Sequence, residues 1–170
     1  NQTQNLIGRG ISVNASTVLY LRFEEGTGQY ANDSSQYGNN GTLGANNAAA
    51  SNDPVWNSST KFESFGLSFD GSNDFVNFTS SNSLNFGNFT DFTIEAWIYL
   101  SGKTSNGKWI IDKEETATIS GNPVGYLFYI TANNKLEFAI ADDVDGPTVT
   151  STEILRNNTW HHVVGAADRD

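Results

Sequence analysis

Residues 92–100 read Phe-Thr-Ile-Glu-Ala-Trp-Ile-Tyr-Leu, and their strict alternation does most to narrow what the chain can fold into. Phe92, Ile94, Ala96, Ile98 and Leu100 fall on one side, and Thr93, Glu95, Trp97 and Tyr99 on the other. A period of two held over such a run is a strand with one face buried, the pattern of an antiparallel sheet. Leu136, Phe138 and Ile140 repeat it, and Asn133-Asn134 reads as a two-residue hairpin turn joining 125–131 to 135–141. Further strand signals fall at 65–70, 74–79, 108–113, 147–154 and 160–166, and no segment has the period of an amphipathic helix. The count and spacing predict an all-β chain folded as an antiparallel β-sandwich.

With 170 residues the chain can build one domain with a substantial core. Acidic residues outnumber basic ones 19 to 9, for a net charge of −10. Such a surface argues against nucleic acid and anionic membranes as partners, because it has no counterions to release to them. Cysteine is absent, which removes disulfides, thiolate catalysis and Cys-ligated zinc. Methionine is absent as well, position 1 included, so the chain reads as processed or excised from a longer one. No apolar run is long enough to span a membrane. N-x-[ST] acceptors begin at Asn1, Asn14, Asn32, Asn40, Asn57, Asn77, Asn88 and Asn157. The contents of 21 Asn and 33 Ser plus Thr give about four by chance, so eight points to an extracellular or cell-surface glycoprotein.

The first sixteen residues are polar, interrupted by Gly8-Arg9-Gly10, and read as a linker or lead-in; the domain is expected over 17–170. Alternation begins at Val18-Leu19-Tyr20-Leu21-Arg22-Phe23. From Glu24 to Thr60 the chain is rich in Gly, Asn, Ser and Ala without sustained period. An irregular stretch of that length inside a domain is usually functional or tied by a metal.

An ordered series of short motifs runs through the chain. It comprises Leu19-Tyr20-Leu21-Arg22-Phe23-Glu24-Glu25-Gly26, Asp33-Ser34-Ser35, Asn39-Asn40-Gly41-Thr42-Leu43, Leu67-Ser68-Phe69-Asp70-Gly71-Ser72-Asn73-Asp74-Phe75-Val76, Phe92 to Ile98, and Trp160-His161-His162-Val163. In that order and at those separations the series resembles a LamG-like, concanavalin A-like jelly-roll domain over roughly 17–168. The resemblance implies a jelly roll serving recognition or adhesion, and in many members one bound Ca²⁺. It also implies further strands after Trp160-His161-His162-Val163, lying in a longer chain or donated by a neighbouring one.

Glycoside hydrolases on this scaffold place two carboxylates on one strand face, at the separation that retaining hydrolysis needs. Here the comparable strand carries Glu95 alone, Glu24 and Glu25 are adjacent and face opposite ways, and Glu114-Glu115 sit in a charged loop. No catalytic residues are expected. His161 and His162 lie on opposite faces of a strand and cannot chelate one ion, so one is expected to pack beside Trp160 and bond to backbone.

Ca²⁺ is the cofactor the acidic loops suggest, since it takes six to eight hard oxygens. Three clusters offer them: Asp33 with Asn40; Asp70 with Asp74; and Asp142, Asp143 and Asp145 before Gly146. The same residues form turns without any metal. Sugar binding would use an aromatic platform beside polar groups, for which Trp97, Tyr99, Trp109, Tyr126 and Tyr129 are the candidates. The expected function is a non-catalytic extracellular recognition or adhesion module for glycans or surface glycoproteins. The rivals are a self-assembling subunit or decoration of a glycosylated surface layer or filament, and an accessory module of a secreted hydrolase.

Overall fold

The computed structural model describes residues 13–62, 64–87, 89–102, 107–116, 123–142 and 146–169; side chains at 116, 123 and 142 are outside that description. Eleven strands are present among the described residues, with a single 3-10 turn over Asn82–Leu84 and no α-helix. The strands form two compact units, Asn1–Leu84 and Asn85–Asp170.

The first unit is built from short strands. β1 (Tyr30–Ala31), β2 (Gly41–Leu43) and β5 (Val76–Phe78) form a three-stranded antiparallel sheet in the order β1-β2-β5. β3 (Val55–Asn57) pairs with β4 (Gly66–Ser68). The stretch expected to be irregular therefore holds three strands, each too short to show a period in the sequence. Alternation at Val18–Phe23 does not become a strand: Leu21 makes one bridge, to Asp33, and Phe23 turns the chain with φ 52. Leu43 and Ala31 are the buried anchors of this unit, at 1 and 0% exposure.

The second unit is a two-layer sandwich. β6 (Phe92–Tyr99) pairs along its whole length with β11 (Trp160–Ala167). Facing that pair is a four-stranded antiparallel sheet in the order β10-β9-β8-β7, made of β7 (Lys108–Thr116), β8 (Pro123–Ile130), β9 (Lys135–Asp142) and β10 (Thr148–Ile154). Phe92 and Ile94 of β6 and Val163 and Ala167 of β11 pack on Tyr126 and Phe128 of β8 and Phe138 of β9. Phe128 is fully buried and meets Phe138 edge-on at 5.8 Å. Burying one such ring contributes about 1.5–3 kcal/mol. Gly165 lets β11 come close to this core: a Cβ there would stand 2.9 Å from the Phe138 ring.

Two local devices shape the four-stranded sheet. The β7–β8 register shifts between Trp109 and Ile111, so Ile110 and Ile111 both pack on the core while Trp109 emerges 60% exposed. That is a β-bulge, which re-aims the neighbouring side chain. The β8–β9 turn is longer than the expected two residues. Thr131 N donates to Lys135 O at 2.8 Å, and Asn134 N to Thr131 O at 2.9 Å, with Asn134 left-handed at φ 58. A three-residue loop ending in a left-handed residue is the next commonest hairpin form. Asn134 is buried because its Nδ2 donates to Leu155 O and, at 2.9 Å, to Asn157 Oδ1.

Candidate functional site

The pairing of β6 with β11 sets the outer face of the two-stranded sheet. Tyr99 lies opposite Trp160, Trp97 opposite His162, and Glu95 opposite Val164. Their even-numbered β6 neighbours carry the core, so these side chains point outward. Trp97 and His162 stack with ring centroids 5.0 Å apart and an interplanar angle of 26°, and Tyr99 meets Trp160 at 5.5 Å and 57°. His162 Nε2 lies 3.0 Å from Glu95 Oε2, which fixes the imidazole over the indole. Tyr99 is 46% exposed. The result is two adjoining aromatic pairs ending in a carboxylate, a surface on which the C–H face of a sugar can stack while a hydroxyl donates to Glu95. His161, on the opposite face, bonds to the backbone carbonyl of Arg156 at 2.9 Å.

Tyr129 belongs to the other sheet, on its outer face beside Trp109, with ring centroids 4.8 Å apart. Tyr126 is a correction. It lies 7% exposed in the core against Phe86 and Phe92, and offers no stacking face to a ligand. Burial pushes its phenol up to about 12. One residue of alternation separates Tyr126 from a surface position, and the sequence of β8, aromatic on both faces, does not say which way it turns.

The loops expected to hold calcium are laced by hydrogen bonds. Asp33 Oδ1 accepts from the N–H groups of Tyr20 and Ser35, and Oδ2 from Ser35 Oγ and Asn39 N, all at 2.7–2.8 Å. Burial alone would raise its pKa; the bonds from Ser35, Tyr20 and Asn39 outweigh that and hold it below the ordinary aspartate value. Four donors match the lone-pair capacity of a carboxylate. Asn40 Oδ1 is likewise taken, by Asp33 N. Asp74 Oδ2 accepts from Asp70 N, and Asp70 Oδ1 from Ser72 N, so this pair closes an Asx turn. Asp33 and Asn40 thus spend their oxygens on their own loop, whereas Asp70 and Asp74 each commit one carboxylate oxygen to the turn. Asp143 and Asp145, and the Asp142 side chain, lie outside the described residues.

Among the described residues no group of three His, Cys, Asp or Glu side chains converges as a metal site. Three buried oxygens of the described residues lack hydrogen-bond partners: Glu25 Oε2, Gln29 Oε1 and Asp53 Oδ1. Each carboxylate is half-used, since Glu25 Oε1 accepts from Asn32 N and Asp53 Oδ2 from Ala50 N. The segments carrying them are tied together: Gln29 O accepts from Leu43 N, Gly28 O from Trp56 Nε1, and Asp53 abuts Gly44. Hard oxygens left open in buried positions are the donor chemistry Ca²⁺ uses. In sequence these residues look no different from Asp33; only the hydrogen bonds they accept separate them. In the same unit a cleft of about 440 Å³, lined by Tyr30, Asn39, Asn40, Thr42, Thr79 and Ser81 among others, is polar with one aromatic ring.

Of the sequon asparagines, Asn14, Asn32, Asn40, Asn57, Asn77 and Asn157 are exposed; Asn1 and Asn88 lie outside the described residues. No helix of the described residues is long and apolar enough to cross a membrane.

A family model described as Laminin_G_3, concanavalin A-like lectin/glucanases superfamily, matches residues 70–170. The chain belongs to this superfamily. Its antiparallel β-sandwich is the fold of the group, and laminin G-like domains are typically non-catalytic binding modules, often extracellular, although the superfamily includes some glycosidases. Neither a curated protein nor a solved structure matches the chain. The Laminin_G_3 match takes in both β6 and β11, and so the whole of the outward aromatic face.

Proposed function

We propose that the chain is a non-catalytic extracellular recognition module that binds carbohydrate, free or on a surface glycoprotein, on the outer face of β6 and β11. The observation that carries this reading is the registered set Trp97–His162 and Tyr99–Trp160 with Glu95 at its end. Glu95 faces Val164 across the pair, and among the described residues of β6 and β11 it is the single carboxylate on this face, where glycoside hydrolysis uses two. Secretion suits the exposed sequons at Asn14, Asn32, Asn57, Asn77 and Asn157. A glycan array probed with wild type and with W160A tests the reading. Binding that is weakened in W160A is expected; an array blank for wild type, with and without Ca²⁺, would overturn it.

Ca²⁺ enters this proposal as a structural ion of the first unit, held by Glu25, Gln29 and Asp53 rather than by Asp33. When bound it would supply positive charge to two half-buried carboxylates and fix the loops that carry them. The open oxygens on all three side chains support this.

A glycosylated structural subunit is the second reading, favoured by the spread of exposed sequons. Sedimentation that shows self-association of the glycosylated chain would favour it over the lectin.

A further inference from the structure

The opposite outer face of the second unit carries a row of its own. Register places Trp109 beside Tyr129, Tyr129 beside Glu137, and Glu137 beside Thr150, one residue from each of β7, β8, β9 and β10. The row runs straight across the sheet, spanning three inter-strand gaps, roughly 14 Å. Two tilted rings stand at one end, 4.8 Å apart, with the indole 60% exposed. At the other end Thr150 Oγ1 donates to Glu137 Oε2 at 2.8 Å, which leaves Glu137 Oε1 and the Thr150 hydroxyl lone pairs as acceptors. The bulge that exposes Trp109 keeps Ile110 and Ile111 in the core, so the ring's position is built into the strand.

We infer that this row is a second saccharide site, for a neutral oligosaccharide, and that the module is bivalent. The ring pair supplies the stacking platform, and Glu137 with Thr150 reads hydroxyls further along the chain. Charge sets the class of sugar. The neighbouring outer positions of β7 carry Asp112 and Glu114, which with Glu137 outnumber Lys135 on this face. Sulfated and uronic-acid chains are repelled, and an uncharged chain is not. Because the core lies between the two sheets, this row and the Trp97–Trp160 face look in opposite directions. One module can then bridge two glycan chains, a gain in avidity that requires no change at either face.

The inference rests on a different sheet from the proposed function, and indole N–H resonances separate the two. The protein has four tryptophans, of which Trp97 and Trp160 report on the first face and Trp109 on the second. Cellohexaose and maltohexaose serve as neutral probes and a heparin hexasaccharide as the anionic one. The expected result is that one neutral probe shifts the Trp109 resonance and heparin does not. E137Q should then weaken that titration roughly tenfold while the Trp97 and Trp160 shifts persist. Shifts confined to Trp97 and Trp160 would overturn the second site and leave the first. Shifts confined to Trp109 would do the reverse. A Trp109 resonance that responds to heparin more strongly, or to protein concentration alone, would also overturn the assignment.

Discussion

His162 lies flat on Trp97, 5.0 Å between ring centroids, because the β6–β11 register sets the two residues directly opposite each other. Glu95, two residues along the same strand face, then holds the imidazole edge at 3.0 Å. The platform is thus preorganised, and the cost of ordering its side chains is met during folding rather than on binding.

Truncating Trp160 to Ala should weaken sugar binding on this face roughly tenfold, the scale of one lost stacking contact plus its buried area. Y99A should act in the same direction by a smaller amount. Isothermal titration with whichever oligosaccharide the array selects measures both, and unchanged affinity in both would remove the face from consideration.

Asp33 accepts four hydrogen bonds, and its pKa lies below the ordinary aspartate value. Its contribution to stability is therefore complete above the unfolded-state value of about 3.9 and is lost as pH falls through the lower native value. D33N should cost about 2 kcal/mol, the scale of hydrogen bonds to a charged acceptor. Hydrogen exchange at the Tyr20, Ser35 and Asn39 amides is the direct readout, with protection falling at all three.

The buried Tyr126 phenol, pushed up to about 12, gives the opposite limb. Its folded pKa exceeds the unfolded value of about 10, so its share of stability is intact below pH ~10 and disappears as pH rises toward the native value. Urea midpoints measured along that range should fall in wild type more steeply than in Y126F.

Calcium should raise the melting temperature of the wild-type chain by about 5 °C or more at a hundredfold excess over its dissociation constant. E25Q and D53N should each abolish that shift, while D70N should retain it. Retention of the shift in both E25Q and D53N would rule out the buried oxygens.

Gly165 faces the Phe138 ring at a distance that leaves no room for a methyl group. G165A should destabilise the chain by about 1–3 kcal/mol through overpacking. Chemical denaturation measures it.

The second unit was readable because its strands are long enough for alternation to show. Phe92, Ile94 and Leu100 are buried as their spacing predicts, and β6 to β11 all fall within a few residues of their sequence signals. The first unit resisted because strands of two or three residues, such as Tyr30–Ala31, have no period to detect. Trp97, Tyr99, Trp109 and Tyr129 could be nominated from composition, yet the pairing of Trp97 with His162, Tyr99 with Trp160 and Trp109 with Tyr129 emerges only from register and from the bulge before Ile111. Asp33 and Asp53 look alike in sequence; what separates them is which oxygens are already taken.

Asn157 carries a sequon, and its carboxamide oxygen is gripped by the buried Asn134. A glycan attached to the free nitrogen of that amide would project from a stem already clamped at its base. It would stand as a fixed mast beside the β8–β9 turn, shielding one end of the sandwich from proteases while leaving both broad faces clear.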